Sequence, residues 1–296
     1  MMQLKKWGEL KHQKTFYMKK FQTASNKSGI VVSSCVLGLI VLGCICAGWL
    51  TSKDPTYLDL QHYLVKPCAE FWFGTDSMGR DLFACIWYGG RISLLIGVVS
   101  TLISTVIGVL YGTLAGLVWN PAGDILMRLI EIFLSIPSLL LVIFIQAVLG
   151  DATVWSIAIV LGVTGWFGIA KLVQSEVRQI RSNEYVIASV CMGGRFFHIL
   201  VKHLTPNFIP SVMFMIVMNV RSAMLSEATL SFMGLGLPIG TVSWGSMLSQ
   251  AQNALMQKAW WVIIIPGVFL IAVVMCITNI GNAIRAHLNQ MERTIM

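Results

Sequence analysis

The sequence predicts an all-α protein that crosses a membrane several times. Of its 296 residues, 56% are hydrophobic and only 11% are charged, and the mean hydropathy is +0.76. Uncharged apolar runs recur along the chain, and several reach the roughly 20 residues that a helix needs to cross a bilayer. Basic residues cluster between some of these runs, as in the cytoplasmic segments of membrane proteins. We therefore predict a polytopic membrane protein with six transmembrane helices.

The six apolar segments are expected to form one membrane domain over residues 30–296. The spans are placed at about residues 30–50, 92–118, 126–149, 154–173, 208–233 and 260–280. Residues 1–29 are lysine-rich and are predicted to form a cytoplasmic basic segment. The first apolar run exceeds the hydrophobic part of a typical signal peptide, which favours a retained helix.

The net charge of +8 is interpreted as a sign of orientation. Basic residues on the cytoplasmic side would place both termini inside, although Arg80 and Arg91 fall on the predicted outer side. Nucleic-acid binding is disfavoured, because the basic residues lie beside apolar spans and do not form a separate basic domain. Membrane lipid is the expected surrounding.

The second predicted span carries small residues at every fourth position, which are Ser100, Ser104, Gly108, Gly112 and Gly116. Such a ridge lets the backbone of another helix approach closely, so we predict tight helix packing there. In the third span, Pro137 is predicted to kink the helix, since proline removes a backbone hydrogen bond.

Ionisable residues inside predicted spans are costly and need partners. Arg221 and Glu227 lie in the fifth span, and 240° of helix rotation separates them, so each needs its own partner. Glu131 of the third span is one candidate partner for Arg221. Two interpretations stay open for these side chains, a buried structural arrangement and a role in a substrate path.

The outer loop of residues 51–90 contains the segment Phe73–Asp81, FGTDSMGRD. Two of the seven cysteines, Cys68 and Cys85, lie in this loop and could form a disulfide. The sequence contains no CxxC pair, so no metal site is predicted.

A polar, basic stretch from Asn183 to Pro210 separates the fourth and fifth spans. Its first half has apolar residues at helical spacing, and Gly193-Gly194 is predicted to end that helix. We interpret residues 174–207 as a cytoplasmic segment with two short helices that could dock on a soluble partner. An ordinary cytoplasmic loop is the alternative.

Motifs for enzymatic chemistry are absent from the sequence. There is no GxxxxGK[ST] phosphate-binding loop, no HExxH and no GxSxG. The chain is therefore predicted not to be an enzyme and to hold no cofactor or metal of its own.

The stretch between the fourth and fifth spans resembles the EAA loop of bacterial ABC importer permeases, whose pattern is EAA, three residues, G, nine residues, then I-x-L-P. The corresponding residues are Ile187, Ala188, Ser189, Gly193, His203 and Pro206. Ile187 replaces the acidic residue and Thr205 replaces leucine, so Glu184 is a further candidate contact. Four other segments, 73–98, 127–143, 226–238 and 243–248, look like the second permease of the dipeptide, oligopeptide and nickel importer family.

The resemblance implies a type I ABC importer permease fold in a bacterial plasma (inner) membrane. It also implies a heterodimer with a sister permease, two cytoplasmic ATPase subunits that bind ATP and Mg, and an extracytoplasmic substrate-binding protein. The loop at residues 184–206 would couple to the ATPase. Peptides, nickel or metal chelates are the implied ligands.

The resemblance also implies roles for individual residues. Glu131, Pro137, Arg221 and Glu227 would line the translocation path, and Asp76, Arg80 and Asp81 would form an external docking or gating surface. Arg221 favours ligands that carry carboxylates. A secondary transporter or channel that works alone is the alternative function, although such proteins often contain inverted repeats and none is visible in this sequence.

Overall fold

The computed structural model describes residues 28–118, 120–192, 205–238 and 240–295. These residues form an all-α bundle. The first helices are α1 (Ser28–Ile45), α2 (Ala47–Leu50), α3 (Leu82–Leu117), α4 (Asn120–Leu134), α5 (Ser138–Leu149) and α6 (Val154–Thr164). They are followed by α7 (Phe167–Arg181), α8 (Glu184–Cys191), α9 (Thr205–Phe232), α10 (Trp244–Ser249), α11 (Ala251–Met256) and α12 (Trp261–Ile295).

Four helical segments of the described chain are long and apolar enough to cross a membrane. They are α1, α3, the α6–α7 unit and α12, and the bent α4–α5 pair counts as a fifth. The predicted fifth span corresponds to α9, which has 28 residues but is not among these segments. The prediction of an all-α polytopic membrane protein is confirmed, and the count of six spans stays a prediction.

Helix α3 is the centre of the bundle, and its small-residue ridge packs as predicted. All five ridge residues are buried. Ser104 Oγ donates a hydrogen bond to the carbonyl of Gly162 in α6 at 2.9 Å. At Gly112, a Cβ would lie 2.5 Å from the carbonyl oxygen of Ala170 and 2.9 Å from Val173 in α7. The ridge therefore brings α3 into backbone contact with the α6–α7 unit.

Substitution of Gly112 by alanine is expected to destabilise the protein by about 1–3 kcal/mol, because the added methyl group meets rigid backbone. Gly38→Ala in α1 is the matched control, since no atom lies within 4 Å of its Cβ position. Thermal unfolding of the purified protein in detergent measures both changes. A similar unfolding temperature for the two variants would contradict the close packing of α3 against α7 at Gly112.

Several boundaries differ from the predicted spans. Helix α3 begins at Leu82, ten residues before the predicted start, because Asp81 caps it by accepting a hydrogen bond from the backbone N–H of Phe83 at 2.9 Å. The helix before the polar stretch continues through α7 to Arg181, because its last turns pack on α3. Helix α9 begins at Thr205, three residues before the predicted start of the fifth span at residue 208, and Pro206 lies in its first turn. Proline is well tolerated in a first helical turn, where the missing N–H would have no partner.

The third predicted span, for which the sequence predicted a kinked helix, is divided into two separate helices. Its halves, Pro121–Leu134 and Ser138–Leu149, are bent by 87° at Ser135–Pro137. Proline blocks the helical conformation of the residue before it, so the first half ends ahead of Pro137 and a new helix begins after it. The region between the predicted fifth and sixth spans contains the two short helices α10 and α11.

Candidate functional site

The segment FGTDSMGRD forms a compact turn held by a buried ion pair. The Nε and Nη2 atoms of Arg80 both lie 2.7 Å from Oδ2 of Asp76. Oδ1 of Asp76 accepts hydrogen bonds from the backbone N–H groups of Met78 and Arg80, at 2.8 and 2.9 Å. Asp76 and Arg80 are each only 3% exposed. Their charges therefore stabilise the turn from within.

Asp81 is also buried, at 8% exposure, and forms an ion pair with Lys53 at 3.2 Å. Asp76, Arg80 and Asp81 were predicted to form an external docking or gating surface. Burial gives the side chains of Asp76 and Arg80 a structural part in the turn. The docking or gating role of the three residues stays a prediction. Charged residues are usually exposed, so the burial of these side chains was not predictable from sequence alone.

The turn is tied to distant parts of the chain. Nε2 of Gln250 donates a hydrogen bond to Asp76 at 3.2 Å, and Ser77 Oγ donates to Oε1 of Gln250 at 2.6 Å. The indole N–H of Trp261 donates to the carbonyl of Thr75 at 3.1 Å. The turn thus fixes α10–α11 and the start of α12 against the 51–81 loop. No sequence signal singled out Gln250.

The disulfide considered for Cys68 and Cys85 is not formed. Both cysteines are free thiols, with Cys68 exposed and Cys85 buried. Cys85 lies in the first turn of α3, which buries it beneath the loop. The described residues therefore contain no disulfide.

Glu227 is fully buried and is held by three serines from different helices or caps. Its Oε1 accepts hydrogen bonds from Ser243 Oγ at 2.7 Å and Ser231 Oγ at 3.0 Å, and its Oε2 accepts from Ser93 Oγ at 3.3 Å. Ser93 Oγ in turn accepts from the backbone N–H of Trp244 at 3.1 Å. This network joins α3, α9 and α10, which favours the structural interpretation of Glu227 over direct contact with a substrate.

Arg221 is half-buried, and its Nε has no hydrogen-bond partner among the described residues. The sequence offered Glu131 as its partner, and this was wrong. Glu131 lies 3.5 Å from Lys171 of α7, in a pair whose side chains are both more than half exposed. Exposed pairs of this kind contribute little stability. Arg221 therefore keeps its capacity to bind another group.

Helix α8 presents one exposed face made of Glu184, Ile187, Ala188 and Cys191, which we call the α8 face. These residues lie at spacings of three and four, so they share one side of the helix. Ile187 is 51% exposed. Val186, the neighbour of Ile187 in the sequence, is only 3% exposed and packs inward. The α8 face is thus an apolar surface with one acidic residue.

The opposite side of α8 packs against the helix bundle. Val186 packs in a cluster with Val177 and Ile180 of α7 and with Phe208 and Val212 of α9. Ser189 is buried beside it, at 8% exposure. The α8 face therefore belongs to a helix that is fixed to the ends of two long helices.

Two arginines of α7 extend this connection to α3 and α4. Nη1 of Arg181 donates to the carbonyls of Gly116 and Leu117 at 3.1 and 3.2 Å, which satisfies the free carbonyls at the end of α3. Arg178 forms an ion pair with Asp124 of α4 at 2.5 Å. Movement of α8 would consequently reach α3, α4, α7 and α9. Gly193 and His203 lie outside the described residues, as does the side chain of Pro206.

Residues 104–293 match the family described as the binding-protein-dependent transport system inner membrane component. This match covers more than half of the chain. The chain belongs to this family of inner membrane components. The resemblance to ABC importer permeases, predicted from the sequence motifs, is thereby confirmed, and the chain is a multi-pass inner membrane protein.

Similar proteins include three named peptide permeases. The dipeptide transport system permease protein DppC of Bacillus subtilis (strain 168) is 37% identical over 76% of this chain and 70% of its own length. The oligopeptide transport system permease protein OppC of the same organism is 34% identical over 87% of this chain and 82% of its own length. The di/tripeptide transport system permease protein DppC of Pseudomonas aeruginosa (strain UCBPP-PA14) is 33% identical over 92% of this chain and 91% of its own length.

The fold of this inner membrane component also has a solved counterpart. A chain of the MetNI methionine ABC transporter, in an inward-facing conformation, superposes with a TM-score of 0.54 over 68% of this chain and 95% of that chain. The two sequences are 20% identical, so this likeness concerns the fold alone. It confirms the prediction of an ABC importer permease fold.

Proposed function

We propose that the chain is the permease subunit of an ATP-driven importer and that the α8 face is its contact with an ATPase subunit. The single observation that carries this proposal is the exposed apolar face on a helix whose other side is buried. Apolar residues exposed at helical spacing outside a membrane span are characteristic of a helix that docks in a groove. Glu184, Ile187, Ala188 and Cys191 would contact the partner.

The remaining predicted residues of the coupling segment have different parts in this proposal. Ser189 supports α8 from its buried side, and Gly193 would end the helix. His203 and Pro206 would lie on the return path to α9. An ATPase that pushes on α8 would move α7 and α9 through the cluster around Val186, and α3 and α4 through Arg181 and Arg178.

The basic residues of α7 indicate how the chain is oriented in the membrane. Lys171, Arg178 and Arg181 lie on α7, the helix that leads into α8, and basic residues accumulate on the cytoplasmic side of inner membranes. The α8 face, both termini and residues 1–29 would accordingly be cytoplasmic. ATP and Mg would bind to two partner ATPase subunits, with this chain supplying no phosphate site.

Peptides are the proposed substrates, because three of the similar proteins are named for dipeptide, oligopeptide or di/tripeptide transport. A sister permease would complete the path across the membrane, and an extracytoplasmic binding protein would deliver the peptide. Pro137 and Arg221 are proposed to lie on the path. Glu131 would lie at its cytoplasmic end, and Glu227 would act by holding α9 and α10 beside it.

Arg221 supports peptides in particular. An arginine in the middle of a long apolar helix is retained where it faces a partner or a water-filled path. Its guanidinium group matches the geometry of a carboxylate, such as the C-terminus of a peptide. Nickel or metal chelates with carboxylate groups would suit the same residue, and competition assays distinguish them from peptides.

The experiment that tests the proposed function is reconstitution of the complete transporter. The chain is co-expressed with its sister permease and ATPase subunits, purified, and placed in proteoliposomes with the binding protein. We expect uptake of labelled dipeptide to depend on ATP and on the binding protein. Uptake that proceeds without ATPase subunits would support a stand-alone transporter and would contradict the proposal.

A further inference from the structure

Two helix breaks lie side by side and line the same cavity. The first separates the halves Pro121–Leu134 and Ser138–Leu149. The second, at Gly165 and Trp166, separates α6 from α7 within the span Val154–Arg181. In both cases each half has 11 to 15 residues, so each break falls near the middle of its helix pair. A cavity of about 460 Å³ lies between the two breaks.

The walls of this midspan cavity are mainly apolar. The apolar lining residues are Phe133, Leu134, Ile136, Pro137, Leu141 and Phe167. Phe133 and Phe167 stack with ring centroids 5.4 Å apart and planes 7° from parallel, which makes one flat aromatic wall.

The hydroxyl groups on the cavity wall are mostly directed to their own helices. Ser135 Oγ donates to the carbonyl of Ile132 at 2.6 Å, and Thr164 Oγ1 donates to the carbonyl of Val160 at 2.8 Å. None of the residues that line the cavity in the described chain carries a charge. The cavity would thus receive an uncharged, apolar group in preference to a charged one.

Irregular backbone restricts what can cover this cavity. Ser135, Ile136 and Pro137 are exposed, and they lie outside any helix. Within a bilayer, non-helical backbone is tolerated only where protein covers it or where it lines a water-filled space, because lipid cannot satisfy its polar groups. The opening at Ser135–Pro137 must therefore face the interior of the transporter. Ligand sites of membrane transporters often form at such interrupted helices near the midplane.

We infer that the midspan cavity is a subsite of the translocation path that receives an apolar side chain of the peptide in transit. This inference rests on the proposed function as a peptide importer. The volume of about 460 Å³ falls within the range of small-molecule sites, about 300–1,000 Å³, and accommodates an aromatic side chain. The aromatic wall and the apolar rim favour peptides with large hydrophobic residues, and small or charged side chains would gain less.

The test compares two dipeptides in the complete reconstituted transporter, with the same binding protein in every assay. Ser138→Phe places a large side chain at the cavity wall. Its matched control is Ala147→Phe, an exposed position on the same helix that does not line the cavity. We expect Ser138→Phe to lower the ratio of Phe-Phe to Gly-Gly uptake about ten-fold, since the pocket loses the space for the larger side chain. The control should leave the ratio at the wild-type value.

A second variant covers the case in which Ser138→Phe does not assemble. Leu141→Ala enlarges the cavity and is expected to raise the ratio of Trp-Trp to Phe-Phe uptake several-fold. An unchanged ratio in both assembled variants, or an equal loss for both peptides, would overturn the inference and indicate that the sister subunit fills the cavity. If the wild-type transporter imports neither peptide, the peptide part of the proposed function fails first, and the subsite with it.

Discussion

Ile187→Asp is expected to abolish ATP-driven uptake while the chain still inserts and folds. Ile187 is 51% exposed at the centre of the α8 face, so its substitution removes little packing within the chain. In a docked complex the same side chain would be buried, and burial of an isoleucine contributes about 1.5–3 kcal/mol. An aspartate there would also lose its hydration on docking, which adds to the loss.

The measurement is co-purification of the ATPase subunits with the tagged chain, together with ATP hydrolysis stimulated by the binding protein. A loss of at least about 2 kcal/mol, typical of a central interface residue, would lower the affinity roughly 30-fold or more. Gln179→Asp is the control, because Gln179 is exposed on the neighbouring helix α7 and lies outside the α8 face. Normal ATPase binding by Ile187→Asp would refute the assignment of the α8 face.

The helix that carries this face was predictable because its sequence signals are local. Glu184–Cys191 has helical spacing of apolar residues, and the glycines that follow mark its end. The side that faces outward was not predictable, since Val186 and Ile187 are both apolar. Only the position of α9, which brings Phe208 and Val212 to Val186, decides which of them is buried.

The small-residue ridge of α3 was equally predictable from the sequence, since small residues at every fourth position are typical of close helix packing. The helix that packs on this ridge, α7, was not predictable, because no sequence feature distinguishes Ala170 and Val173 from other apolar residues. The 87° bend at Pro137 exceeds what proline alone requires. It depends on the tertiary position of α5 against α6, which no local pattern encodes.

The clearest difference between sequence and structure concerns the charges of the 51–81 loop. Asp76 and Arg80 are four residues apart across a turn in which Gly74 and Gly79 adopt positive φ angles of 77° and 72°. Glycine tolerates this conformation, so the two glycines flanking the charges were a usable sign of a tight turn. Gln250, which donates a hydrogen bond to Asp76, lies 174 residues further along the chain. No sequence feature indicated that it belongs to this turn.

Asp76→Ala is expected to cost about 3–5 kcal/mol, because it removes the carboxylate that pairs with the buried guanidinium of Arg80. It also leaves the backbone N–H groups of Met78 and Arg80 without their acceptor. The measurements are thermal unfolding of the detergent-purified chain and maleimide labelling of Cys85, which is only 1% exposed beneath the loop. Mass spectrometry separates Cys85 from the other cysteines, and we expect its labelling to become much faster.

Two comparisons separate the ion pair from general damage to the loop. Asp54→Ala removes an exposed carboxylate of the same loop, which bonds only to Thr56 among the described residues, and should cost about 1 kcal/mol or less. The double variant Asp76→Leu with Arg80→Met should recover part of the stability, because a buried ion pair often exchanges for apolar residues at small cost. Recovery stays partial, since the hydrogen bonds that Asp76 accepts from Gln250 and from two backbone N–H groups are not restored. A single variant Asp76→Ala as stable as the wild type would mean that the loop is held by the Trp261 and Lys53 contacts instead.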